Sequence, residues 1–174
     1  KHEQFEFKHA GMFTKKLDQL SSKVGRDKIA TDLHKLMKAN YSTIVSAYKQ
    51  FQLVAKDCLN AELDSVITHG DAPGNVLVKS PDDIFIVDWD DILLAPAERD
   101  LWFMIDKQDF MDGYTTEVLE YKPNQVALDY YLLSRYFNDM VEYWAEILGD
   151  FDEQHRKSNF KQLNKELFRK DGWL

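Results

Sequence analysis

The sequence has a single cysteine, Cys58, and this excludes an internal disulfide. One unpaired thiol favours a reducing compartment, and we expect the cytoplasm. No apolar run approaches the length that crosses a membrane, and the polar first ten residues lack the apolar stretch of a secretory signal. Since the chain begins with Lys1 and not with Met, we expect a processed product or a piece of a longer protein.

Basic residues are outnumbered by acidic ones, at 22 Lys and Arg against 30 Asp and Glu, for a formal net charge of −8. Attraction to nucleic-acid phosphates is therefore not expected to drive binding. The acidic balance suits a cationic small molecule, although it can also serve solubility alone. With 44% hydrophobic and 30% charged residues, the composition excludes a disordered chain. The 174 residues suffice for a single domain, 1–174, with its own core.

Helical periodicity dominates the chain, and there is no internal repeat, low-complexity tract or obvious linker. Apolar residues recur at three- and four-residue steps, and Asn, Gly and Pro mark the ends of the segments. The predicted helices cover 11–22, 26–60 with a break near Asn40, 96–113 starting at Pro96 and stopping at Gly113, 124–148 capped by Asn124, and 152–169.

Between these helices lie two short β-branched segments, "SVITHG" and "NVLVKSPDDIFIVDW". The Ser-Pro-Asp-Asp stretch inside the second segment is typical of a turn. We therefore predict an antiparallel hairpin of strands 76–79 and 84–88. The fold class that follows is a mainly α (α+β) domain with one small central β-hairpin.

Polar side chains cluster at the ends of this hairpin. Asp71, in a loop of small residues, can accept the proton of an incoming hydroxyl or orient that hydroxyl for attack. Asn75 offers a neutral oxygen and Asp88 a charged one, and such ligands suit Mg²⁺ completed by water and substrate phosphates. A hairpin that starts after Asn75 and ends at Asp88 is expected to bring the two oxygens together.

Each of these residues also has an ordinary structural explanation. A loop Asp or Asn is usually a turn or cap residue, "DWDD" alone fits a solvated strand end, and His69 alone fits a hydrogen-bonded structural group. The combination of a loop Asp, a loop Asn and an acid after the next strand is much harder to explain without a shared function.

The same residues carry a family resemblance. The motifs His69-Gly70-Asp71, Asn75-Val76-Leu77 and Ile86-Val87-Asp88-Trp89-Asp90 resemble the Brenner-type motif of aminoglycoside phosphotransferases and related small-molecule kinases. The stretch "FIVDWDDILLAPAERDLWFM" is most similar to that of spectinomycin phosphotransferases. The resemblance implies a protein-kinase-like fold, of which this chain would be the C-terminal lobe.

The resemblance also implies roles for the acidic and amide side chains. Asp71 would be the catalytic base or hydroxyl-orienting carboxylate. Asn75 and Asp88 would hold the Mg²⁺ that bridges the phosphates of ATP, so that the expected cofactors are Mg²⁺ and ATP.

Supporting roles are implied for the neighbouring residues. His69 would be a scaffold residue of the catalytic loop, and Asp100 would anchor that loop from the following segment. Asp90 would either contact and support the residues that bind the ligands or face the substrate itself, and the sequence leaves these two alternatives open.

Two features depart from the family pattern. Asp71 and Asn75 are four residues apart, so the loop is one residue shorter than in protein kinases. The 70 residues before Asp71 show helical periodicity, without a Gly-rich strand pair or a lysine-bearing strand, so we expect the ATP-binding N-terminal lobe to be absent from this chain. Either the chain is the C-terminal part of a longer kinase, or it is a diverged fragment that no longer catalyses. We therefore expect the chain alone to be inactive and to self-associate through an apolar face left by that lobe.

The leading hypothesis is an ATP-dependent phosphotransferase acting on a hydroxyl of an aminoglycoside- or aminocyclitol-like molecule. The expected partner is a cationic small molecule, with no nucleic acid and no membrane. One alternative takes "DWD" as the metal-binding motif of a sugar-nucleotide transferase, although the succession of βαβ units expected there is missing. The other is a non-catalytic, kinase-like module that binds a ligand or partner.

Overall fold

The computed structural model describes residues 1–22 and 25–167. Within these ranges the chain forms seven α-helices, four short strands and one 3₁₀ turn. The helices are α1 (Ala10–Ser22), α2 (Lys28–Ala39), α3 (Tyr41–Asn60), α4 (Glu98–Leu101), α5 (Gln108–Glu117), α6 (Gln125–Leu148) and α7 (Glu153–Leu167). The strands are β1 (Val66–Thr68), β2 (Val76–Ser80), β3 (Asp83–Ile86) and β4 (Leu93–Ala95). This architecture confirms the predicted mainly α class with a small central hairpin.

The chain divides into two compact units. The first comprises Lys1–Phe5 and Val54–Leu132, and the second comprises Glu6–Leu53 and the chain from Leu133 onward. The first unit contains all four strands, and with them every residue proposed for the site.

Two helix boundaries confirm the predictions made from capping residues. Asn40 separates α2 from α3, because its main-chain N–H and its side-chain Nδ2 both donate to the carbonyl oxygen of Leu36. Asn124 begins α6, since its Oδ1 accepts the N–H groups of Val126 and Ala127. Side chains that satisfy otherwise unpaired helix-end groups define these boundaries.

The predicted helix from Pro96 to Gly113 is wrong in both bounds. Helix α4 begins at Glu98 and lasts four residues, and the chain then turns before α5. Gly113 lies inside α5, which continues to Glu117. Glycine weakens a helix interior by about 1 kcal/mol but does not force the helix to end. The end predicted at residue 169 lies outside the described residues.

The core of the second unit is aromatic. Phe13, Tyr48, Phe51, Phe137 and Trp144 are each at most 4% exposed. Phe13 stacks on Trp144 with ring centroids 5.2 Å apart, and Phe51 stacks on Phe137 at 5.3 Å. Such pairs contribute about 0.5–1.5 kcal/mol each beyond the burial of their area. Aromatic packing therefore joins α1 to the parts of α3 and α6 that belong to this unit.

Two separate sheets form in the first unit. Strands β1 and β4 pair antiparallel, with Thr68 opposite Leu93, and His2 adds a parallel bridge to Leu94. Strands β2 and β3 form the predicted hairpin, with Val76 opposite Ile86.

Cys58 is buried in the first unit. Burial is the main cause that raises the pKa of its thiol to about 12. The thiol is therefore protonated at neutral pH, as is typical of a buried structural cysteine. In the part of the chain that the structure describes, no helix has the length and apolar character needed to span a bilayer.

An ion pair ties three helices of the second unit together. Asp27 caps α2 by accepting the N–H of Ala30 at 2.9 Å, and Arg156 of α7 donates to both carboxylate oxygens of Asp27, at 2.8 and 3.1 Å. The Nε of Arg156 donates to the carbonyl oxygen of Ile147 near the end of α6, at 2.7 Å. The hydrogen bonds from Arg156 are the largest cause that lowers the pKa of Asp27 from 3.8 to about 2.

We predict that this carboxylate makes stability pH-dependent in acid. Because the pKa of Asp27 is lower in the folded than in the unfolded state, its contribution is complete above pH 3.8 and is lost as the pH falls towards 2. Thermal unfolding should show that Asp27→Asn loses less stability across this interval than the parent does. The control is Asp82→Asn, at the exposed turn of the hairpin, which should keep the parental pH profile. An unchanged profile in Asp27→Asn would contradict the assignment.

Candidate active site

His69 is buried at the end of β1, and both of its ring nitrogens are hydrogen-bonded. Nε2 lies 2.8 Å from the carbonyl oxygen of Val87, and Nδ1 lies 3.2 Å from the main-chain nitrogen of Asp71. Since a carbonyl only accepts and a peptide N–H only donates, the ring carries one proton, on Nε2. His69 therefore braces the loop against the segment after β3, and neither nitrogen is left for proton transfer to a substrate. The contacts agree with a scaffold role for His69, and that role in catalysis stays a prediction.

Asp100, on α4, holds the same loop from another side. Its Oδ2 accepts the main-chain N–H of His69 at 2.7 Å, and its Oδ1 accepts that of Gly70 at 2.6 Å. Hydrogen bonds to a charged group contribute about 1.5–3 kcal/mol each. The geometry is that of a loop anchor, and any effect of Asp100 on catalysis stays a prediction.

Arg99, which was not among the predicted site residues, also contacts this loop. Its guanidinium donates to the hydroxyl of Thr68 at 2.9 Å and to the carbonyl oxygen of Asp91 at 2.9 Å. Gly70 has a φ of +91°, and a Cβ there would overlap the guanidinium of Arg99. Arg99 directly precedes Asp100 in the segment "FIVDWDDILLAPAERDLWFM", and its place in that segment is the signal that could have identified it.

The short interval between Asp71 and Asn75 folds as a 3₁₀ turn over Ala72–Gly74. The main-chain N–H of Asn75 donates to Ala72, and its side-chain Nδ2 donates to the carbonyl oxygen of Asp71 at 2.8 Å. The shortened loop thus closes on its own hydrogen bonds. The carboxylate of Asp71 is exposed, and no hydrogen bond or ion pair engages it within residues 1–22 and 25–167.

Asp88 does not lie in β3, and the predicted strand 84–88 is too long. The strand ends at Ile86, and Asp88 has a left-handed backbone with φ of +64°, which an extended strand cannot accommodate. Asn75 and Asp88 nevertheless lie at the same end of the hairpin. Val76 is paired with Ile86, and the N–H of Val87 donates to the carbonyl oxygen of Asn75 at 3.0 Å.

The donor set at this end of the hairpin fits Mg²⁺. The Nδ2 of Asn75 donates to Asp71, and its Oδ1 has no hydrogen bond among the described residues. The carboxylate of Asp88, at the same end of the hairpin, is exposed. No group of three or more His, Cys, Asp or Glu suited to a metal occurs among the described residues. Two oxygen ligands match an ion whose remaining positions are filled by water and phosphate, and not a cage made by the protein alone.

The segment after Asp88 also packs on the loop. The ring of Trp89 lies 4.8 Å from that of His69, and its Nε1 donates to the carbonyl oxygen of Ile86 at 2.8 Å. Asp90 is exposed, and its carboxylate has no hydrogen bond or ion pair in the described part of the chain. The choice between a supporting and a substrate-facing role for Asp90 stays open.

The hairpin carries apolar side chains on both faces, and all of them are exposed. Leu77 lies opposite Phe85 on one face, and these side chains are 56% and 52% exposed. Val78 lies opposite Ile84 on the other face, at 67% and 57%. Monomeric proteins rarely expose contiguous apolar surface of this kind. The hairpin therefore presents apolar surface to solvent, and self-association through such a surface stays a prediction.

Two crystal structures of spectinomycin phosphotransferase, APH(9)-Ia, have folds similar to this chain. One, in complex with ADP and spectinomycin, is 23% identical with a TM-score of 0.72, and the alignment covers 95% of this chain and 53% of the other. The other, bound to AMP, is 25% identical with a TM-score of 0.74, and the alignment covers 99% and 56%. The chain thus spans about half the length of these structures. Their fold confirms the predicted kinase-like architecture.

Comparison with curated proteins found no match. Comparison with family models matched the APH phosphotransferase enzyme family over residues 4–132, which include the whole hairpin and its two flanking loops. The matched region also contains every predicted site residue. On the strength of this match and of the shared fold, the chain belongs to the APH phosphotransferase enzyme family.

Proposed function

We propose that this chain supplies the catalytic-loop part of an ATP-dependent phosphotransferase that acts on a hydroxyl of an aminoglycoside- or aminocyclitol-like molecule. The proposal rests on one difference among the polar side chains of the loop: most of them are hydrogen-bonded to the main chain, and one is not. His69, Asp100 and the amide nitrogen of Asn75 are all engaged in holding the backbone, whereas the carboxylate of Asp71 faces solvent without a bonding partner among the described residues.

In this proposal Asp71 orients the acceptor hydroxyl and takes its proton as the phosphoryl group is transferred. The loop does not need to reorganise for this step, because Asp100 and His69 already fix its main chain. A carboxylate held at a set position supplies orientation as well as basicity, and orientation accounts for a large share of catalysis in phosphoryl transfer.

Asn75 and Asp88 are the residues that would hold Mg²⁺. The ion would neutralise charge on the phosphates of ATP and keep them in line with the acceptor. Support comes from the hairpin register, which brings both residues to one end, and from the side chains themselves, which present oxygen atoms not used elsewhere in the described structure.

The substrate class rests on the family and on charge. APH(9)-Ia has been crystallised with spectinomycin and with ADP, which supports an aminocyclitol acceptor and an adenine nucleotide here. The formal net charge of −8 favours a cationic acceptor over a nucleic acid or an anionic membrane surface. We keep a cytoplasmic location as part of the proposal, since the only cysteine is buried and reduced.

We predict that Asp71→Asn lowers turnover by about 10²–10⁴-fold, the usual effect of losing a general base. The substitution keeps the shape of the side chain and removes its charge. The measurement is kcat with spectinomycin, in a chimera that joins this chain to the part of APH(9)-Ia that it does not match.

Two controls accompany this measurement. Asp82→Asn, at the turn of the hairpin, should leave kcat unchanged. The 174-residue chain without the added part should show only background turnover, because the nucleotide phosphates need groups from outside the matched region. Near-normal kcat in Asp71→Asn would remove Asp71 from the mechanism.

We predict that Asp88→Ala weakens binding of Mg²⁺-ATP more than Asn75→Ala does, because it removes a full negative charge from the metal site. Calorimetric titration of the chimera and both variants measures this difference, and Asp82→Ala is the matched control. Equal or reversed losses would mean that these residues do not share the ion as proposed.

Normal Mg²⁺-ATP binding without turnover in the parent chimera would favour the alternative function, a non-catalytic kinase-like module.

We predict that the chain alone self-associates through its hairpin. Replacing Leu77 and Phe85 by Thr keeps strand propensity and removes the apolar pair from one face, so the average mass should fall towards that of a monomer. Sedimentation velocity over a range of concentrations measures this change. The control is Leu119→Thr, a side chain outside the hairpin that is 79% exposed. A monomeric parent, or equal effects of both changes, would contradict the prediction.

A further inference from the structure

The segment Asp88–Asp91, which carries the proposed metal ligand, is held at its first end by the hairpin. Val87 directly precedes the segment, and both of its main-chain polar groups are hydrogen-bonded. Its carbonyl oxygen lies 2.8 Å from His69 Nε2, and its N–H donates to the carbonyl oxygen of Asn75. These contacts fix the point at which the segment leaves the hairpin. They do not fix its other end.

Arg99 holds that other end. Its Nη2 donates to the carbonyl oxygen of Asp91 at 2.9 Å, and its Nη1 donates to the hydroxyl of Thr68 at 2.9 Å and lies 3.4 Å from the carbonyl oxygen of Thr68. Thr68 is 1% exposed, and its hydroxyl donates to Leu93 across the β1–β4 pair at 3.1 Å. The guanidinium therefore links the segment to a buried strand end, immediately before the loop that carries Asp71.

Gly70 provides the space for this link. Its φ of +91° lies in the left-handed region, and a Cβ there would overlap the guanidinium of Arg99. The neighbouring Asp100 accepts the N–H of the same glycine. Two adjacent residues of one short helix thus hold the loop. Asp100 accepts N–H groups of the loop, and Arg99 donates to oxygen atoms of Thr68, before the loop, and of Asp91, after it.

We propose that Arg99 is a positioning residue, whose guanidinium sets where Asp88 and Asp90 lie relative to Asp71. The inference rests on the proposed function for the chemistry of these carboxylates. A lysine cannot replace Arg99 in this role. The guanidinium presents several donors in a fixed plane, whereas the ammonium group of lysine is a compact charge on a flexible chain.

The first experiment measures amide hydrogen exchange by NMR in the 174-residue chain, comparing Arg99→Lys with the parent. The main-chain N–H of Ile92, the residue after the segment, donates to the carbonyl oxygen of Trp89 inside it, and the indole N–H of Trp89 donates to the carbonyl oxygen of Ile86. Both should exchange about tenfold faster in Arg99→Lys, as expected when one charged hydrogen bond is lost and the segment opens locally.

The control for charge and length is Arg135→Lys, an arginine of α6 that pairs with Asp139. It should leave exchange of Ile92 and Trp89 unchanged. Unchanged protection of these groups in Arg99→Lys would overturn the proposal. An equal loss of protection in the helices of the second unit would also overturn it, because that result would show a general loss of stability.

A double-mutant cycle tests the contact itself. Gly70→Ala should be destabilising by both strain and overlap, and the overlap should disappear when Arg99→Ala is also present. The two substitutions should therefore be coupled in thermal unfolding, whereas Gly70→Ala and Arg135→Ala should be additive. Additivity of Gly70→Ala and Arg99→Ala would show that the guanidinium does not occupy the space beside Gly70.

A titration with Mg²⁺ alone separates positioning from a purely structural role. The amide resonances of Asp88 and Asp90 should shift with Mg²⁺ in the parent, and the apparent affinity should fall about tenfold in Arg99→Lys at unchanged melting temperature. Equal affinity in the two proteins would overturn the positioning role. If the parent does not respond to Mg²⁺, the proposed metal site fails, whereas the exchange experiment still decides the role of Arg99.

Discussion

The carboxylate of Asp100 accepts the N–H groups of His69 and Gly70, and the placement of the whole loop depends on this pair of hydrogen bonds. The two peptide groups follow a buried strand end, where unpaired donors would be costly. Their orientation also determines where Asp71 emerges. His69 can then reach Val87, which connects the loop to the hairpin. This carboxylate thus holds the main chain immediately before Asp71, and its effect on substrate contacts stays a prediction.

Helix α4 has only four residues and cannot hold Asp100 in place by its own hydrogen bonds. Glu98 braces it from inside the first unit, since this side chain is 4% exposed and accepts the hydroxyl of Tyr121 at 3.0 Å and the N–H of Asn124 at 2.8 Å. A carboxylate beside the start of α6 is also favoured by the helix dipole. Burial, followed by the charge of Glu98, raises the pKa of Tyr121, so its hydroxyl remains a donor at physiological pH.

The stacked aromatic core and the predicted site residues belong to different units of the chain. The stacked aromatic core and the Arg156–Asp27 ion pair belong to the second unit, and none of the predicted site residues lies there. In the first unit, short strands and loops expose the carboxylates of Asp71 and Asp88 and the apolar hairpin.

The sequence by itself determined most of the helices, the hairpin and the family, because periodicity, capping residues and the motif around Asp71 are local patterns. The same local reasoning placed Asn75 and Asp88 at one end of the hairpin, but it extended β3 too far and stopped a helix at Gly113. Only the tertiary structure decided how the loop is held. Arg99 contacts Thr68 across 31 positions of the chain, and the left-handed backbone of Asp88 occurs where the segment leaves the hairpin. Contacts between residues so distant in sequence follow from how elements pack, and they leave no period or spacing that a single sequence can reveal.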